Sequence, residues 1–119
     1  MPDERGEWTE WFPYSKHRSP GGWSRERTIA ATSDGRDSRY FADVDVEAIE
    51  RVAAQSGAPV PSPKPATTYK VCEFAEIVGA SEGLPSRWLR VESTNGVFHG
   101  HPISRRVYSA WRRRIGAKP

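Results

Sequence analysis

The sequence predicts a single α+β domain: an antiparallel sheet of four to five strands, one middle helix, a basic C-terminal helix and an irregular Trp-rich N-terminal arm. Three observations lead there. The chain has 119 residues, enough for one domain and too few for a Rossmann pair, a TIM barrel or a kinase. It has only two leucines, too few for a helical bundle, so five tryptophans and four tyrosines must supply much of the buried area. Turn signals separate short β-branched and aromatic runs from two amphipathic stretches.

Residues 1–27 are rich in Trp, Pro, Gly and charge without periodicity, and read as an arm anchored by Trp8, Trp11, Phe12 and Trp23. The remaining residues, 28–119, form the domain. Residues 27–33 and 38–42 read as short strands joined by Asp34-Gly35-Arg36-Asp37, because Asp-Gly favours a tight hairpin. Residues 44–56 place Val46, Ile49, Val52 and Ala53 on one stripe, with Asp43 or Asp45 as N-cap and Gly57 as the stop, which predicts a helix. Four prolines at alternate positions (Pro59, Pro61, Pro63, Pro65) then predict a stiff, extended connection over residues 58–66.

Residues 68–78 carry Tyr69, Val71, Cys72, Phe74, Ile77 and Val78 and predict a central strand, followed by a loop over residues 79–86. Residues 87–93 and 97–101 flank Asn95-Gly96, the strongest hairpin signal in the chain. The last element, residues 104–115, has Val107, Tyr108, Trp111 and Ile115 on one stripe, Ser104 as N-cap and Gly116 at its end. Its other face is basic.

A net charge of +3 hides an uneven distribution. From His99 onward there are six basic residues (Arg105, Arg106, Arg112, Arg113, Arg114, Lys118) and no acid, and planar guanidinium forks suit phosphates. A polyanion, RNA above all, or an acidic protein is the expected partner. The start of the chain lacks the charged-then-apolar profile of a signal peptide, and no apolar run approaches a membrane span, so a cytoplasmic protein without a membrane partner is expected. The single cysteine, Cys72, reads as a structural thiol.

The Asn95-Gly96 turn fixes the hairpin register. Glu92 must oppose His99 and Arg90 must oppose His101. Alternation then puts Leu89, Val91, Ser93 and Phe98 on one face, the core, and Trp88, Arg90, Glu92, Thr94, Val97, His99 and His101 on the other. Such a row has the parts for acid–base work on a phosphodiester. Glu92 serves as base beside His99, His101 as acid, and Arg90 as the phosphate-holding group. Trp88 offers a base-stacking surface and the arginines of the last helix steer the polyanion. At the level of site geometry this resembles small metal-independent ribonucleases of the kind used as toxins, which would imply an inhibitor protein as a further partner. No motif assigns the chain to a family.

Other readings of the same residues stand beside it. A solvated hairpin face carries charged pairs for solubility alone. The basic helix can act as a noncatalytic binding module, or the arm's aromatics can dock on a partner. His99-x-His101 with Glu92 supplies three ligands of a metal set, but a closed site needs a fourth from His17 or Cys72, so no metal and no cofactor is expected. His17 itself reads as part of an exposed basic loop.

Overall fold

The computed structural model describes residues 8–116; the first seven residues of the arm and Lys118 of the basic tail lie outside these. Two sheets and three helices make up the described residues. The strands are β1 (Glu10–Trp11), β2 (Arg39–Tyr40), β3 (Ala58–Val60), β4 (Thr67–Glu73), β5 (Gly79–Ser81), β6 (Leu84–Ser86), β7 (Trp88–Thr94) and β8 (Val97–Ile103). The helices are α1 (Arg25–Ala31), α2 (Val46–Ser56) and α3 (Arg105–Gly116). The larger sheet has the order β1-β8-β7-β4-β3, and the smaller has the order β2-β5-β6.

The β7–β8 hairpin follows the register set by its turn. Glu92 opposes His99, Val91 opposes Gly100 and Arg90 opposes His101. Asn95 and Gly96 both hold positive φ, 55° and 84°, as the tight turn requires. Leu89, Val91, Ser93 and Phe98 are buried on one face. Against that face packs α2, through Val46, Ile49 and Ala53, in a cluster with Tyr40, Val78, Leu89 and Val91. The helix starts where Asp45 accepts from the Ala48 amide and ends at Gly57.

On the opposite face, α3 lays Val107, Tyr108, Trp111 and Ile115 against Val60, Tyr69, Val71, Trp88 and Ile103. Ser104 caps this helix, its Oγ accepting from the Val107 amide at 3.1 Å. The larger sheet is therefore sandwiched, with α3 covering only one end of its second face.

The structure departs from the sequence reading in several places, and the central strand expected over residues 68–78 ends at Glu73, where the chain turns off toward the small sheet. Residues 27–33 are not a strand: α1 begins at Arg25 with Ser24 as its N-cap, and the buried Thr28 and Thr32 lie one helical turn apart on its inner side. Their hydroxyls donate back to the Ser24 and Ile29 carbonyls, so the β-branched residues that suggested a strand are satisfied within the helix. Asp34 and Gly35 do turn the chain, with φ of 60° and 77°, but they leave a helix rather than join two strands. The expected loop over residues 79–86 is itself a hairpin, β5–β6, turning at Glu82 and Gly83. Its first residue, Gly79, has no room for a Cβ, which would lie 2.9 Å from the Pro102 ring and closer still to the Arg39 carbonyl. That close approach lets the small sheet sit against β8.

The proline-rich connection contributes an edge strand. β3 pairs with β4, Pro59 opposite Lys70, in the edge position where a missing amide is tolerated. The N-terminal arm is more ordered than its composition suggests. β1 adds to the free edge of β8 in parallel, Trp11 beside Phe98, which makes the sheet mixed rather than purely antiparallel.

Candidate active site

The end of the second face that α3 leaves open forms a cleft of about 690 Å³. Its floor is the row predicted from the hairpin: Arg90 and Glu92 from β7, His99 and His101 from β8. Arg90 Nη2 donates to Glu92 Oε1 at 3.0 Å, and His99 Nε2 lies 3.7 Å from Glu92 Oε2. The Arg90 guanidinium also rests 4.2 Å from the centre of the Tyr69 ring, which Trp111 of α3 meets edge-on at 5.6 Å. The arginine is thus held from below by a ring and from the side by a carboxylate, with little freedom to swing away.

The outer wall comes from the arm. After β1 the chain follows the β8 edge, the Phe12 amide donating to the Phe98 carbonyl at 2.8 Å, and then runs beside β2, where the Tyr40 amide donates to the His17 carbonyl at 2.7 Å. Those two anchors set His17 on the site. Its ring stacks on His101, centroids 4.7 Å apart and planes 23° apart. His17 Nδ1 is 2.8 Å from the Ser38 carbonyl, an acceptor only, so Nδ1 carries the hydrogen and Nε2 is left as the atom that takes up a proton. By the same argument His101 donates Nδ1–H to the Pro102 carbonyl at 2.9 Å.

Burial keeps all three imidazoles neutral to lower pH than usual. Desolvation is the largest cause for each. For His101 it outweighs the Pro102 hydrogen bond, and Arg90 and the other two histidines add repulsion, bringing the pKa down to about 3. For His99 the Glu92 carboxylate opposes the shift, and for His17 the Ser38 hydrogen bond and Asp37 do so. His101 therefore cannot hold a proton to donate near neutrality. It packs against His17, which the sequence reading put in an exposed basic loop and the structure puts, partly buried, in the cleft.

Trp88 lies elsewhere. Its ring packs beside Tyr108 of α3 at 6.3 Å and under Arg87 at 5.5 Å, as part of the cluster that holds the helix, and it does not line the cleft. The aromatic rings that do line it are Phe12, Tyr14 and Trp111. Of the arginines on α3, Arg106 pairs with Glu82 at 2.7 Å and Arg114 sits 4.7 Å from the Trp111 ring centre. Arg105, Arg112 and Arg113 are exposed and form no ion pair with another described residue. Cys72 is half-buried on the α2 side, its thiol pKa pushed up by burial and by Glu73.

Among the described residues no three His, Cys, Asp or Glu side chains are grouped to hold a metal ion, and no helix is long and apolar enough to cross a membrane. Comparison with protein-family models, with curated proteins and with solved structures finds no match for this chain.

Proposed function

We propose that the protein is an endoribonuclease that works through side chains alone, cutting single-stranded RNA in the cleft between α3 and the N-terminal arm. The observation that carries this reading is the cluster on the cleft floor, the Glu92–His99 pair beside Arg90, with His17 of the arm brought in by stacking on His101. Displacement at phosphorus needs a base and an acid on opposite sides of the phosphate. Glu92 of β7 and His17 of the arm both line the cleft.

In that arrangement Glu92, supported by His99, takes the proton of a ribose 2′-hydroxyl. The 2′-oxygen bonds to phosphorus and the bond to the 5′-oxygen breaks. Protonated His17 gives its Nε2 proton to that departing oxygen, leaving a 2′,3′-cyclic phosphate and a 5′-hydroxyl. Arg90 binds the non-bridging oxygens and stabilises the charge that grows on them. A phosphate in the cleft also raises the proton affinity of His17, because it supplies the opposite charge that the empty site lacks. Arg90 Nε and His99 Nδ1 are buried without a hydrogen-bond partner among the described residues, a costly arrangement for groups whose only task is folding. The expected setting is the cytoplasm, where RNA is abundant, and a toxin of this kind requires an inhibitor protein in the cell that makes it.

The test is incubation with total RNA at about 0.1 M salt with EDTA, comparing the native protein with Glu92→Gln. The variant should be slower by about 10²–10⁴-fold, and the native products should carry cyclic phosphate ends. Intact RNA from the native protein would sink the proposal. The pH profile locates the acid: kcat/KM should fall as pH rises through a value below 6.5, where free His17 loses its proton, and His17→Ala should remove that limb.

Arg105, Arg112 and Arg113, which are exposed and form no ion pair with another described residue, favour a second reading, a noncatalytic polyanion-binding module on α3. In that case RNA stays intact, and binding weakens when these arginines are removed but not with Glu92→Gln.

A further inference from the structure

Phe12 and Tyr14 are 46% and 39% exposed, although every other aromatic ring among the described residues is at least partly buried. They are not loosely held. The Phe12 amide is fixed to the β8 edge, and the Tyr14 amide donates to the Phe12 carbonyl at 2.8 Å across Pro13. This tight bend brings both rings to one side, stacked 5.8 Å apart with planes 22° from parallel. Both also meet His99 edge-on, at 6.0 and 5.0 Å. Phe12 stands between two spaces: the cleft, and a neighbouring recess of about 270 Å³ bounded by Phe12, Glu92, Thr94, Val97 and His99.

Burial does not account for these rings, since two apolar side chains facing water this close together contribute little to the core. A flat π surface at the rim of a cleft floored by an arginine is what a single-stranded nucleic acid needs: a face for the base and a cation for the phosphate next to it. Lys16 and Arg36 also line the cleft, together with Asp37, 3.9 Å from Lys16, and Glu82, so Arg90 on the floor is the cation for the phosphate.

We propose that Phe12 and Tyr14 form a nucleobase-stacking subsite, which seats the base beside the scissile phosphate of single-stranded RNA at the cleft rim next to His99. This rests on the reading of the cleft as an RNA site and names how that site holds its substrate. Stacking accepts any base, so the subsite gives affinity and position with little sequence preference. Duplex RNA, whose bases are covered on both faces, is excluded.

Binding to a strand that cannot be cut tests this separately from catalysis. The probe is a fluorescent four-nucleotide 2′-deoxy strand, compared by anisotropy with the same strand made abasic throughout. The native protein should hold the base-bearing strand about tenfold more tightly. In Phe12→Leu/Tyr14→Leu that preference should vanish while affinity for the abasic strand is unchanged, and Phe12→Tyr/Tyr14→Phe, which keeps both aromatic faces, should retain it. Equal binding of the two strands by the native protein, a preference surviving in the leucine variant, or no binding of either strand would each overturn the subsite. A preference erased by the leucine variant in a protein that never cleaves RNA would leave the subsite standing and remove the nuclease.

Discussion

The two faces of the larger sheet use alternate residues of the same strands, and they are finished differently. On the α2 face Leu89, Val91 and Phe98 are closed over completely. The buried carboxylate there, Glu50, accepts from the Tyr40 hydroxyl at 2.5 Å and from Trp11 Nε1 at 2.7 Å. On the α3 face the helix covers Tyr69, Val71 and Ile103, then stops short of the polar end, where Arg90, Glu92 and His99 stay partly open. One face is sealed to hold the fold together; the other is left incomplete where charged groups converge. Glu50 connects them, because its three partners, Trp11 on β1, Tyr40 on β2 and the Gly100 amide on β8, belong to the elements that carry the cleft wall.

The largest effect belongs to the sealed face. Phe98→Ala should lower stability by about 3–5 kcal/mol, whereas Glu92→Gln one strand away should stay within about 1 kcal/mol, both read from urea denaturation. Equal losses would mean that the polar row is structural.

Titration separates the faces by sign. His101 is lowered to about 3, so between 6.5 and 3 the unfolded chain binds a proton that the folded one refuses. Stability should therefore drop as pH falls through that window, and His101→Gln should reduce the slope. Glu50 is raised above 4.5, chiefly by burial, so the folded state holds its proton longer. Its contribution is full below 4.5 and is lost as pH rises through the raised value, a shallower dependence of opposite sign that Glu50→Gln should flatten. Denaturation midpoints taken across the acid range distinguish the two. The smallest effect is expected from Arg112→Gln/Arg113→Gln, which should leave stability unchanged and reduce the salt dependence of RNA binding by a slope of roughly one to two.

Much of the site was legible because a hairpin is local. The Asn95-Gly96 turn and the two-residue alternation settled which side chains share a face, and no distant contact was needed. The helices at α2 and α3 were legible for the same reason, with cap, stop and most of the stripe within one segment, although Val52, expected on the α2 stripe, is 46% exposed because it lies off the Val46, Ile49, Ala53 line that faces the sheet. The misreading of α1 shows the limit: Thr28, Ile29 and Thr32 favour a strand locally, and only packing of the threonine side against the rest of the fold makes the helix the better choice. The β5–β6 turn was missed because Glu82 is an unusual residue to hold φ of 57°. Trp88 was placed on the correct face but not under its cover, since alternation says which side a residue points to and nothing about what lies on top.

The sequence by itself therefore determined the paired carboxylate, imidazoles and guanidinium of the hairpin, along with the two amphipathic helices, because spacing along one or two neighbouring segments fixes them. Tertiary structure alone decided that His17 stacks on a histidine far along the chain, that Phe12 and Tyr14 form the rim, and that burial lowers the His101 pKa to about 3. Each of those depends on the arm lying along the β8 edge and on how much water is left around a ring. Position and desolvation of that kind arise only when distant segments meet, and no local pattern encodes them.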